Sequence, residues 1–245
     1  MGDSEQCLTL QSKWAAQKRA APHFYFSQGV SMASSAFNEF RYNVLDARRL
    51  HQAHGIMSAG TPGKKGLGHL TRSGVVMLCA AWERYNESVI VEAAGYLARE
   101  IRDPNNLPLS VRKHLSAIAK QHVHELKPME LAGDGWRTLY VAQATDETSS
   151  LNTPKSGKLK VLYERLTGLP DVSTFWTIGA QPIDDFVGTR GDIAHNGRHA
   201  PYVNAGTLFF YIDMIEKVAA EHDNKLCDYL RAASGSAYQP WRRTA

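Results

Sequence analysis

Cysteine is scarce in this chain. Cys7, Cys79 and Cys227 are odd in number and far apart, which gives no basis for a disulfide framework or a CxxC metal clamp and fits a reducing, cytoplasmic setting. Long apolar runs are missing too. The stretch from Val75 to Trp82 falls well short of the roughly 20 residues that span a bilayer, and no apolar run opens the chain, so neither a signal peptide nor a membrane anchor is expected. Charge of one sign is not in large excess: 28 Lys and Arg face 24 Asp and Glu, for a net +4 and a pI near 8.9. That balance tolerates a polyanionic partner but lacks the dense positive charge of a nucleic-acid-coating protein; an RNA would be held by a few placed cations. HExxH, Walker and GxSxG patterns are absent. His122 and His124 would lie on nearly opposite helix faces, and Gly197 interrupts the pair His195 and His199, so no metal and no cofactor is expected.

What is present is helical period in a chain long enough, at 245 residues and 43% hydrophobic, to bury a substantial core. Residues 1–30 show no clear period and read as a flexible N-terminal arm with one short helix around Trp14. A helical domain over 31–232 and a flexible tail over 233–245 complete the expected organisation. Within the domain, Phe37, Phe40, Val44 and Ala47 share a stripe that the glycine-rich segment 55–68, carrying Lys64 and Lys65, should break. Val75, Leu78, Cys79, Trp82, Tyr85, Asn86, Val89, Ala93, Tyr96 and Leu97 predict a long helix over 73–99, stopped by Asp103 and Pro104. Ser110 should cap a helix reaching about Glu125, after which Gly133 to Gly135 and the polar stretch 145–158 read as turns and loop. Leu159, Leu162, Tyr163 and Leu166 mark a short helix closed by Gly168; further helices should run from Pro182 to Asn196 and over 205–231. No strand-period segment or internal repeat is convincing, so the fold class is all-α.

The phrase Arg190-Gly191-Asp192-Ile193-Ala194-His195-Asn196-Gly197-Arg198 gathers a guanidinium, a carboxylate and an imidazole around one helix end. His195 follows Arg190 by five positions, which turns their side chains roughly 140° apart on a regular helix, so a common site needs a relaxed last turn or a second subunit. RNA cleavage requires a base for the 2′-OH, an acid for the leaving 5′-oxygen and a cation for the phosphorane, and these two residue types can supply all three without metal.

On these residues the chain resembles the HEPN superfamily. Arg190-x4-His195 matches its Rx4-6H signature, and the resemblance extends to the RiboL-PSP-HEPN type of domain. Residues 74–88 (GVVMLCAAWERYNES) look like that group's long early helix; Leu151 to Lys155, Leu162-Tyr163 and 190–198 look like its later blocks. The resemblance implies a helical bundle, here with extra helices and long loops, that forms homodimers and brings two motifs together in a cleft with metal-independent endoribonuclease activity. It also implies a toxin or phage-defence role with an antitoxin or defence-system partner protein. Arg190 would stabilise the scissile phosphate and His195 would act as acid or base, with Asp192, Asn196 and Arg198 in support. Gly191 departs from the polar residue that often follows the motif arginine, and some such domains bind RNA or nucleotides without cutting them.

Each residue also has a plainer reading. Arg190, Asp192 and His195 would serve equally as a helix-end network of salt bridges and caps. Glu83 and Arg84, in the middle of an apolar helix, either line the site or form a buried ion pair or interface. Trp82 and Tyr85 continue the helical stripe and belong to the core. Lys64 and Lys65 meet phosphate or simply solvate a loop, and Lys155, with Asn152 to Pro154, touches RNA or caps a helix.

Overall fold

The period over 75–97 becomes the axis of the molecule. A computed structural model describes residues 33–59, 66–121 and 123–244, and among them the secondary structure is helical with no strand. The helices are α1 (Ser35–Ser58), α2 (Gly68–Glu100), α3 (Leu109–Gln121), α4 (Gly135–Thr148), α5 (Ser156–Thr167), α6 (Gln181–Asn196) and α7 (Ala205–Ser234). The readings around Trp14, Lys64, Lys65 and His122 lie outside the described residues. No helix among the described residues is long and apolar enough to cross a membrane.

Helix α2 is apolar on nearly every side. It packs against α1, α4, α5, α6 and α7, burying Val75, Leu78, Trp82, Tyr85, Val89, Ile90 and Leu97 among them, as expected of a helix with no single polar face. Its buried polar groups find partners: Trp82 Nε1 donates to the Pro154 carbonyl at 3.2 Å, and Tyr163 Oη donates to Asn86 Oδ1 at 3.1 Å. These bonds tie the segment before α5, and α5 itself, to the centre of α2.

Helix α1 begins at Ser34, whose Oγ accepts from Phe37 N at 2.9 Å, as an N-cap should. The carboxylate of Glu92 on α2 accepts from Ser35 N and Ala36 N, each at 3.2 Å, and Asp223 on α7 accepts from Ser34. Contrary to the expected break at Gly55, α1 runs on to Ser58; a single glycine costs only about 1 kcal/mol in a helix interior. Two further expectations need correction. Of the stretch 145–158 read as loop, residues 145–148 close helix α4, which starts at Gly135 and buries Trp136, Leu139, Tyr140 and Ala144, and residues 156–158 open α5. Residues 235–244 are fastened: Trp241 is buried and donates from Nε1 to the Asp223 carbonyl at 3.1 Å, Cys227 Sγ approaches the Trp241 carbonyl, and Thr244 N donates to Asn224 Oδ1.

Gly168 closes α5 at φ +82°, and a Cβ there would stand 2.2 Å from Pro108 Cβ. Left-handed strain and a clash with a rigid ring act together, so Gly168→Ala is expected to lower unfolding free energy by about 3 kcal/mol. Urea denaturation checks this; an unchanged midpoint would show that the α3–α5 junction yields.

Candidate active site

Helix α6 starts with Pro182 in its first turn and stops at Gly197, which takes φ +54°, ψ −122° and returns its N–H to the Ile193 carbonyl. That conformation is open to glycine and strained for other residues, so it fixes the helix end one residue beyond Asn196. Ile183, Phe186, Val187 and Ile193 are buried, and Arg190 falls on the same side by helical spacing. The opposite stripe reads Asp184, Gly188, Gly191, His195, at intervals of four, three and four. Arg190 is half-buried, and Asp192, His195, Asn196 and Arg198 are exposed. The two motif residues therefore occupy different faces of one helix.

The half-buried guanidinium of Arg190 looks toward α2. Its charge acts on Cys79 and Glu83, one turn apart on that helix. Burial pushes the Cys79 thiol up to about 12, against the pull of Arg190 and with a small push from Glu83. Burial likewise raises the Glu83 carboxyl above its ordinary value; Arg190 opposes the rise, Glu87 adds to it, and Lys158 opposes it. Glu83 Oε2 is shielded from solvent and has no hydrogen-bond partner among the described residues. Arg84, although adjacent in sequence, turns toward α1: its Nη1 is 3.3 Å from Glu87 Oε2 and its Nε 3.8 Å from Glu39 Oε1. Adjacent helix positions diverge by about 100°, so Glu83 joins the Arg190 group and Arg84 does not.

Helix α5 supplies the third wall. Asp184 on α6 accepts from Ser156 N at 2.7 Å and Ser156 Oγ at 2.6 Å. The start of α5 is thus capped from another helix, and Asn152 to Lys155 does not cap it. Lys155 Nζ lies 4.0 Å from where a Cβ on Gly188 would stand, while space over Gly191 is open. Lys158 Nζ donates to Asn152 Oδ1 at 3.1 Å. Lys158 was not singled out by sequence, since only the packing of α5 on α2 brings it near Glu83. The helix-end network expected under the plainer reading is not formed: Arg190, Asp192, His195, Asn196 and Arg198 have no side-chain hydrogen bond or ion pair among the described residues. Nor is there a metal-binding group of three or more His, Cys, Asp or Glu among those residues.

The family model for RiboL-PSP-HEPN domains matches residues 46–228. No curated protein and no solved structure matches the chain.

Proposed function

Because the chain belongs to the RiboL-PSP-HEPN family, we propose that it is a metal-independent endoribonuclease, leaving 2′,3′-cyclic phosphate and 5′-OH ends, and that it serves as a toxin or phage-defence effector. The observation that carries this reading is the state of the motif: Arg190 and His195 are held on a helix anchored by one buried face, yet neither spends its side chain on a partner among the described residues. A half-buried arginine normally satisfies its donors within the fold, whereas a catalytic group keeps them for substrate. Arg190 stabilises charge on the pentavalent phosphorane through two parallel N–H donors. His195, exposed in the last turn of α6, exchanges the proton with the 2′-OH or the leaving 5′-oxygen. Since the two point to different faces, one working site takes Arg190 and His195 from two copies of the chain, with RNA as the substrate.

A second reading is favoured by Gly191: with no polar side chain after Arg190, the same cations hold RNA or a nucleotide unbroken. Incubating the purified protein and its His195→Ala variant with total RNA in EDTA separates the two. Loss of His195 is expected to reduce cleavage by about 1000-fold or more with the helical fold retained. Intact RNA with the parent protein, or equal cleavage by the variant, would overturn the nuclease reading.

A further inference from the structure

Glu83 is the anomaly of the site. A shielded carboxylate oxygen without a donor is costly, because its hydration is lost and nothing replaces it. The nearest remedy, a direct contact from Arg190, is not taken: no ion pair within 4 Å joins them among the described residues, although Arg190 acts on both Glu83 and Cys79 across successive turns of α2. Lys158 on α5 also acts on Glu83, and Glu87, one turn on, is occupied by Arg84. Two cations, Arg190 on α6 and Lys158 on α5, thus act on a shielded carboxylate of α2 from helices packed against it, and neither forms an ion pair with it among the described residues.

We propose that Glu83 is the resident counter-ion of Arg190, a positioning residue that keeps the guanidinium turned between α2 and α6 until a substrate phosphate takes over its charge. The proposal rests on the nuclease reading only for the identity of that phosphate. Substrate binding then exchanges one anion for another at Arg190, and Glu83, losing its cation, becomes easier to protonate. A bound phosphate finds the guanidinium already oriented, which lowers the ordering cost of the contact.

The test is a double-mutant cycle on positions 83 and 190, read as the Kd of a 2′-O-methyl oligoribonucleotide, which binds but cannot be cut at its blocked 2′-oxygen. Glu83→Gln is expected to tighten binding about fivefold in the parent and less than about 1.5-fold in Arg190→Gln. On cleavable RNA it is expected to lower KM while lowering kcat about tenfold, because the guanidinium is no longer held. Glu87→Gln, which removes equal charge one turn away, should leave kcat unchanged. Unaltered or weaker binding by Glu83→Gln, or the same gain in both backgrounds, overturns the proposal. A carbon-13 titration of the Glu83 carboxyl needs no RNA: its midpoint should rise in Arg190→Gln, and an unmoved midpoint overturns the pairing whatever the nuclease assay shows. A raised midpoint in a protein that does not cut RNA would fail the nuclease reading and leave the counter-ion pair standing.

Discussion

An Arg190→Lys protein is expected to cleave RNA about 100-fold more slowly than the parent or worse, even though the charge is conserved. Lysine offers a compact point charge on a flexible stem, while the phosphorane requires two donors in a fixed plane. The position also favours the arginine: it rises half-buried from the core-facing side of α6 toward Cys79 and Glu83. A shorter reach and a more strongly hydrated ammonium fit that crevice poorly. Since Arg190 makes no ion pair within the described residues, the melting temperature should stay within a few degrees of the parent. Steady-state cleavage together with thermal melting checks the expectation. Parental kcat in the lysine variant would mean that Arg190 contributes charge alone.

The second large effect lies on α7, where His222 and Asp223 are adjacent in sequence. His222 is fully buried amid Trp82, Tyr85, Tyr163, Phe175 and Trp176, and neither ring nitrogen has a hydrogen-bond partner among the described residues. Burial depresses it from 6.5 to about 3. The unfolded chain therefore binds the extra proton first, so this stability is present above pH 6.5 and is lost as pH falls toward 3. Asp223 works in the opposite sense. Burial raises it from 3.8 to about 6, against hydrogen bonds from Ser34 and with a push from Glu92. Its contribution is full below pH 3.8 and is lost as pH rises through 6. Each slope is about 1.4 kcal/mol per pH unit, and between about pH 6 and 4 they cancel. Asp223→Asn removes one slope and leaves the other, so relative to the parent it should lose about 2–3 kcal/mol between pH 7 and pH 4. Urea midpoints at pH 7, 5 and 4 decide this; parallel curves for the two proteins would refute the compensation.

Much of the fold was legible because helices that bury one or more faces print a 3.6-residue period. The stripe from Val75 to Leu97 became α2, and Pro182, Gly168 and Gly197 marked ends through their backbone chemistry. Helix α4 escaped because Thr138, Thr145, Thr148 and two preceding glycines disguise it; its buried residues Trp136, Tyr140, Ala144 and Thr148 do recur every four positions, and that was the available signal. The packed C-terminal segment escaped because a lone Trp241 in a polar stretch has no period to reveal it. At the candidate site, the divergence of Arg190 and His195 follows from their spacing and helix geometry alone. What spacing cannot give is which neighbour each side chain meets. Glu83 and Arg84 are adjacent letters with different surroundings, and Lys158 enters only when α5 packs on α2. His222 reads as an ordinary polar residue on an amphipathic helix until its aromatic surroundings are known.

The separation of Arg190 and His195 onto opposite sides of α6 has a consequence for dosage. On the composite-site reading, a lone copy carries half of each reaction centre and is harmless to the RNA around it. Below the dimer's dissociation constant, the amount of working nuclease rises with the square of the protein concentration. Leaky synthesis at a tenth of the induced level would then yield about a hundredth of the cutting. A cell would tolerate a basal stock of the chain without a dedicated inhibitor, and a modest burst of expression would act as the trigger.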